Sequence, residues 1–367
     1  MNAKKVRRFF GLSFLRRRGG LGIITVVIIP VLFIVAGCSG SKKEIHTSAA
    51  FYYWRTSFEL GFKARAYLDS LGVKKLYVRF FDVDWNPHAR TAQPVASAEF
   101  KDAIPLDIAV IPAIFITNAT FRNLPPRSIP QLASNIVLKV NAMAKLNKIA
   151  AVKEIQIDCD WTESTRESYF RLLNALKETL RRDSIQLSVT IRLHQLAYKA
   201  RTGVPPVDSG VLMFYNMGDV EKETTKNSIL DLEVGRYYLE RSKDYPMHLD
   251  IALPLFRWGV QIRQSKVIDL IHGMSGSDLS DTGSFQAVGS GLYKVIKSTY
   301  ARSVYFYKGD MIRLEEVSLK QLFTAIDLLK NHVKADTLTV VFYHLDTDTP
   351  ERFHHEDLRG LLSSLGR

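Results

Sequence analysis

Two hydrophobic periods alternate along the chain. Short apolar runs rich in β-branched and aromatic residues recur at 51–56, 75–82, 109–117, 154–160, 186–193, 211–216, 248–253 and 338–345. Each reads as a strand. Between them the apolar positions take helical spacing: 57–71 sets Leu60, Ala64 and Leu68 along one side, and 130–146, 163–180 and 318–331 follow the same pattern. Ser128 and Thr162 stand where N-caps are expected, and Gly72 where a helix should stop. Eight strands alternating with helices predict an α/β fold, a (β/α)8 TIM barrel, with a doubly wound open sheet as the competitor. Polar residues recur at the C-terminal ends of the predicted strands (Asp82, Asp84, Asn118, Asp160, His194, Asn216, Arg257, Asp346), which favours the barrel. No glycine-rich phosphate loop follows the first strand, which weakens the open-sheet alternative.

The seventh and eighth strands lie about 80 residues apart, far beyond an ordinary connection. A small α+β insertion is expected there, at about 258–315, with a strand over 303–307, a Lys308-Gly309-Asp310 turn and a glycine- and serine-rich loop over 273–291. No internal repeat is visible.

The N-terminus is set apart from the fold. Residues 1–20 carry seven Lys or Arg and no acid, and an apolar run from 21 to 36 ends in Val35-Ala36-Gly37-Cys38. This resembles a bacterial lipoprotein signal, whose cysteine is acylated after cleavage. The expected organisation is a signal peptide at 1–37, a small polar tether at 38–49 and a barrel domain at 50–367. The resemblance implies a lipid bilayer as partner through acylated Cys38, and a place in the bacterial cell envelope, on the outer membrane facing the periplasm. An uncleaved membrane helix is the alternative; at 16 residues the run is short for a span. Removing the signal leaves 43 basic against 37 acidic residues, so much of the net charge of +13 belongs to the leader. No basic patch interleaved with aromatics remains, and no nucleic-acid partner is expected. Cys159 is the other cysteine, so with Cys38 acylated no internal disulfide can form.

The most informative stretch is Glu154-Ile155-Gln156-Ile157-Asp158-Cys159-Asp160-Trp161-Thr162. Alternation along a strand puts Ile155, Ile157, Cys159 and Trp161 on one face and Gln156, Asp158 and Asp160 on the other. Unpaired buried carboxylates cost several kcal/mol or neutralise, so the second face should border a polar site. Cys159 belongs to the apolar face and reads as a packed thiol.

Several pieces together resemble the family 18 glycoside hydrolases, the chitinase-like barrels. That family ends its fourth strand in Asp-Gly-x-Asp-x-Asp-x-Glu, and Asp158-Cys159-Asp160-Trp161 matches the centre of this motif. Met213-Phe214-Tyr215-Asn216 stands where the family's sixth strand carries Met-x-Tyr-Asp or Met-x-Tyr-Asn. Leu253-Pro254-Leu255-Phe256 resembles its seventh-strand motif, and Tyr343 takes about the place of the tryptophan on its last strand. The departures matter as much. The family's catalytic acid falls on Thr162, its first motif Asp on Ile155 and its Gly on Gln156. A threonine hydroxyl cannot protonate a leaving oxygen as a carboxylic acid does, and Glu163 is one residue out of step.

The candidate catalytic residues are therefore Asp160 and Asp158. Candidate ligand-binding residues are Arg79, Asp84, Arg192, His194, Tyr215, Asn216, Trp258, Tyr343 and Asp346, with Trp54 and Trp85 as further aromatic platforms near strand ends. Packing explains any one of these aromatics singly, and Arg79 and Arg192 could simply neutralise the two aspartates. No His or acid cluster has metal spacing, so neither metal nor cofactor is expected. The resemblance implies a glycan or oligosaccharide ligand, bound by an envelope-anchored barrel without the family's usual acid. One alternative is an active glycosidase pairing Asp160 with a carboxylate from another strand (Asp84, Asp250 or Asp346). The other is a non-catalytic structural or assembly lipoprotein.

Overall fold

The computed structural model describes residues 45–366 apart from 106, 150, 223, 243, 333 and 334. The apolar run at 21–36, the signal, Cys38 and most of the tether lie outside the described residues. Eight parallel strands close into a barrel: β1 (His46–Tyr53), β2 (Lys75–Asn86), β3 (Ala109–Ile116), β4 (Glu154–Asp158), β5 (Gln186–Arg192), β6 (Ser209–Met213), β7 (Leu249–Pro254) and β8 (Thr337–Tyr343). Closure is direct: β1 pairs with β8 on one side (Phe51↔Phe342) and with β2 on the other (Tyr52↔Tyr77). The sheet therefore has no free edge within the barrel, and the open-sheet alternative is ruled out. β1 starts at His46, inside the stretch expected as tether, because Thr47, Ala49 and Phe51 find partners along β8.

The helices form where the apolar stripe predicts them, beginning with α1 (Phe62–Ser70). In α2 (Ile129–Leu146), Ile129, Leu132, Ala133, Ile136, Val137, Val140 and Met143 are buried at three- and four-residue spacing, and the intervening positions face water. In α3 (Arg166–Arg181), Tyr169, Leu172, Leu173, Leu176 and Leu180 do the same. Ser318 opens the helix Leu319–Lys330 with a capping box, accepting from the Gln321 backbone N–H at 3.3 Å while Gln321 accepts from the Ser318 N–H at 3.0 Å. Gly72 takes φ +64° just past the helix Phe62–Ser70, as a stop residue should. The other two expected caps differ. The Ser128 side chain makes no capping bond, because Ser128 already lies in a 3-10 turn. α3 begins at Arg166, three residues later than Thr162 would set it.

Between β7 and the helix Leu319–Lys330 the chain builds a five-stranded antiparallel sheet from Arg257–Arg263, Lys266–His272, Phe285–Gly289, Leu292–Val295 and Met311–Glu316. A small hairpin, Thr299–Ala301 with Val304–Phe306, joins it. No α-helix occurs over 257–316, where the sequence predicts α+β, and Phe285–Gly289 is a strand where a loop is expected. Short apolar runs such as Val267-Ile268 and Leu270-Ile271 fit either period, and sheet pairing decides between them. The sheet has a small core of its own, around Ile271, Met274, Phe285, Phe306 and Ile312. Among the described residues no helix is long and apolar enough to cross a membrane.

Candidate functional site

β4 carries its side chains as the alternation requires. Ile155, Ile157, Cys159 and Trp161 are buried in the layer between barrel and helices. Trp161 stacks on Tyr169 of α3 at 5.1 Å and donates its indole N–H to the Thr202 carbonyl at 2.9 Å. Burial pushes the Cys159 thiol well above its ordinary range, so it stays a protonated packing group. The opposite face points into the barrel. Gln156 accepts from the Tyr52 hydroxyl at 2.7 Å, and Asp158 accepts from the Thr190 hydroxyl at 2.5 Å.

Asp158 and Asp160 have different fates. Asp158 is buried at 4 % exposure, so no ligand reaches it without displacing neighbours. Burial raises its carboxyl above the usual range; Arg192, 3.8 Å away, works against that rise, and Asp160 adds to it. Asp160 is half exposed at the barrel mouth and accepts from Arg192 Nε. Burial disfavours the Arg192 charge, but the two aspartates outweigh it and hold the guanidinium firmly protonated. Arg192 thus serves both carboxylates.

At the mouth, the residue in the family's acid position is Thr162. Its hydroxyl lies 2.9 Å from Ser164 Oγ and 3.3 Å from Thr165 Oγ1, and its N–H donates to Thr165 Oγ1 at 2.9 Å. These bonds build the turn into α3. Asn118 ties the turn from outside, donating to the Asp160 carbonyl and accepting from Thr165 Oγ1. Glu163 points to Arg201 on the surface at 3.2 Å.

Two of the cavities at this end of the barrel hold the residues marked from sequence. The smaller, about 260 Å³, is lined by Asp160, Arg192, His194, Tyr215 and Asn216, which the sequence had marked, together with Tyr238. Burial lowers the His194 imidazole below its ordinary value. Asn216 sits at φ +52°, in the left-handed region that asparagine tolerates better than most residues. The larger cleft, about 660 Å³, lies between β1, β2, β7, β8 and the inserted sheet. Trp54 and Tyr343 supply its aromatic surface, with the buried Phe256 behind them; Arg55, Arg79, Arg257 and Arg302 supply its charge. The ring of Tyr343 stacks on Tyr215 at 4.9 Å, so this pair forms a shared wall between the two cavities.

The remaining sequence candidates divide. Arg79, Tyr343 and Asp346 all line the larger cleft. Arg79 bonds Asp82 with two N–H groups and lies 5.9 Å from the Trp54 ring centroid. Asp346 pairs with Arg55. Asp84 lines neither cavity; it accepts from Thr117 Oγ1 and the Trp85 N–H, fixing the end of β2 against the turn after β3. Trp258 lines neither: it is 7 % exposed and donates to Glu315 at 2.9 Å, so its ring belongs to the inserted sheet and offers no face to a sugar. Asp250 is the second residue of β7 and accepts from the Thr339 N–H at the opposite end of the barrel, which removes it as a partner for Asp160. Among the described residues no three metal-ligating side chains converge.

Sequence reasoning missed Arg55, Phe256, His272, Arg302 and His344 as cleft residues. His344 follows the end of β8 directly and Arg55 lies two residues past β1, positions that could have flagged them. Arg302 reaches the cleft from the insertion, and nothing local in the sequence signals that.

No protein-family model matches the sequence, and no curated protein matches it significantly. Solved structures do. The spore cortex-lytic enzyme SleL of Bacillus cereus superposes with a TM-score of 0.53 at 14% identity, covering 88% of this chain and 75% of that one. The Group IV chitinase of Ostrinia furnacalis gives 0.50 at 11% identity, over 87% and 99%. A chitinase from Chromobacterium violaceum gives 0.50 at 12% identity, over 86% and 98%. At such identities the likeness is one of fold: the chain shares the (β/α)8 barrel of these chitinases and of SleL.

Proposed function

We propose that this chain binds a glycan in the larger cleft at its barrel mouth, without the acid that chitinase-like hydrolases use, and is held at the cell envelope through acylated Cys38. The observation that carries the reading is the cleft itself: an opening of about 660 Å³ in which Trp54 and Tyr343 stand beside polar groups. Aromatic faces beside hydrogen-bonding side chains are what a sugar ring requires, since it is apolar on its faces and polar at its edge. Position 162 supports the non-hydrolytic half, because its hydroxyl is engaged with Ser164 and Thr165 and has no ionisable proton near neutral pH. Solved proteins that share the fold are named as chitinases and as a spore cortex-lytic enzyme, and the chitinase names favour a glycan here.

The second reading is a glycosidase that uses Asp160. Its support is the exposure of Asp160 in the smaller cavity. Against it stand the engagement of Asp160 by Arg192 and the position of Asp346, the remaining candidate partner, across the Tyr215–Tyr343 wall. A purely structural role leaves the open aromatic cleft without a purpose.

A glycan array of neutral and acidic oligosaccharides, followed by calorimetric titration, tests the reading. We expect saturable binding that Trp54→Ala abolishes. Folded protein that retains no glycan overturns it. Product release from a bound oligosaccharide, lost in Asp160→Asn, establishes the glycosidase instead. Anchoring is tested separately: Cys38→Ala should move the protein from the membrane to the soluble fraction.

A further inference from the structure

We propose that the larger cleft selects an acidic saccharide, whose carboxylate or phosphate group sits among Arg55, Arg257 and Arg302 while its rings lie against Trp54 and Tyr343. The proposal rests on the glycan-binding reading and adds the ligand class to it.

The first ground is the imbalance of hydrogen-bonding groups. Four guanidinium groups line the cleft; Arg79 is matched by its two bonds to Asp82, and Arg55, Arg257 and Arg302 share the two lining carboxylates, Asp346 and Asp348. A guanidinium has five N–H donors and no acceptor. Among the described residues Arg302 donates no hydrogen bond, and its ion pair with Asp278 is loose at 3.7 Å. Arg257 uses Nε toward the Gly273 carbonyl at 3.3 Å and one terminal nitrogen toward Asp348 at 2.7 Å. Arg55 gives one terminal nitrogen to Asp346. Donors on this wall therefore exceed the acceptors that face them. A neutral sugar hydroxyl both donates and accepts, and takes up only part of a surplus of donors. A carboxylate or phosphate only accepts, and guanidinium matches it two bonds at a time.

The second ground is the local field, read from groups beside the cleft. Burial lowers Arg352, and the charge of Arg257 lowers it further. Burial brings His344 down to about 4, and Arg55 and His272 push in the same direction. Asp348, which acts the other way on both, is outweighed. The His344 ring also carries a buried Nδ1 without a hydrogen-bond partner at the edge of the same cleft. After burial, which is the larger cause of both shifts, Arg55 and Arg257 still act on these neighbours as positive charge beside the cleft, and partly buried charge is screened less than surface charge.

The test is a glycan array with chito-oligosaccharides as neutral members. Hyaluronan and alternating N-acetylglucosamine–N-acetylmuramic acid oligomers supply carboxylates, and hexose phosphates supply phosphate. Calorimetric titration of the retained members follows. An acidic oligosaccharide should bind at least about tenfold tighter than a neutral one of equal length, and raising salt from about 50 to about 300 mM should shrink that ratio. Arg302→Gln should weaken acidic members by about tenfold and leave neutral ones unchanged. Asp348→Asn, which releases Arg257, should strengthen acidic members. The arm that binds, carboxylate or phosphate, identifies the anionic group. Equal affinity for neutral and acidic members overturns the proposal and leaves the glycan reading standing, as does an Arg302→Gln protein that melts like the parent and binds unchanged. Retention of nothing removes both.

Discussion

The cavity beside Asp160 and the cleft beside Arg55 share the Tyr215–Tyr343 wall, yet they hold charge differently. Around Asp160 one guanidinium answers two carboxylates, one of them sealed in the barrel. That set is closed: its groups are matched within the protein, and removing one leaves another stranded. In the cleft several guanidinium groups face fewer carboxylates, and Arg302 donates to none. That set is open. A residue pattern borrowed from a catalytic motif can thus hold a barrel together, while a site with no motif at all has the unmatched groups that a ligand needs.

The comparison can be broken at its strongest point first. If the Asp158–Arg192–Asp160 set is structural, Arg192→Met strands a buried carboxylate and should cost about 3–5 kcal/mol in urea unfolding. A variant as stable as the parent would show that the set is not what holds the barrel end together. Next comes pH. His344 has a folded value of about 4 against an ordinary 6.5, so below 6.5 the unfolded chain takes up a proton that the folded protein refuses. Stability is then lost as pH falls from 6.5 toward 4, by roughly 2–3 kcal/mol. Asp158 and Glu154 act in the opposite sense, since their folded values are raised, chiefly by burial. They bind protons more readily when folded and add stability as pH falls through those raised values. Melting temperature against pH should show the net loss in the parent and a much flatter profile in His344→Gln. A smaller effect is expected from Trp54→Leu, which keeps bulk but removes the platform: about tenfold in glycan affinity by calorimetry, near 1.4 kcal/mol. The least is expected of Asp160→Asn. Its half-exposed ion pair contributes about 0.2–1 kcal/mol, visible as a small shift in melting temperature and no change in glycan affinity.

The eight strands were legible because each is long enough to show its alternation and is bounded by polar residues. The two faces of β4 followed from period alone, and Asp158 and Trp161 point to opposite sides as that period requires. Depth was not legible. Asp158 and Asp160 are two residues apart on one face, yet one is sealed and the other open, because the strand ends between them. Trp258 stood five residues past the predicted end of the seventh strand and read as a platform; the inserted sheet begins at Arg257 and takes the ring inside. Asp250 could have been set aside from sequence, since it opens its strand and barrel sites gather at the closing ends. The arginine cleft depends on contacts between segments some 250 residues apart, Arg55 with Arg302, and no local pattern encodes such a meeting.

The stacked tyrosines carry one further consequence. Tyr215 is buried and Tyr343 partly so, and burial pushes both phenols up, so neither ionises in the working range of the protein. They insulate the polar interior around Asp158 from whatever happens at the rim. Rim substitutions then cost little, commonly within about half a kcal/mol for exposed positions, and the scaffold tolerates them. Over evolutionary time such a barrel can exchange one clientele for another by rewriting its outer ring, while its sealed centre stays as inherited.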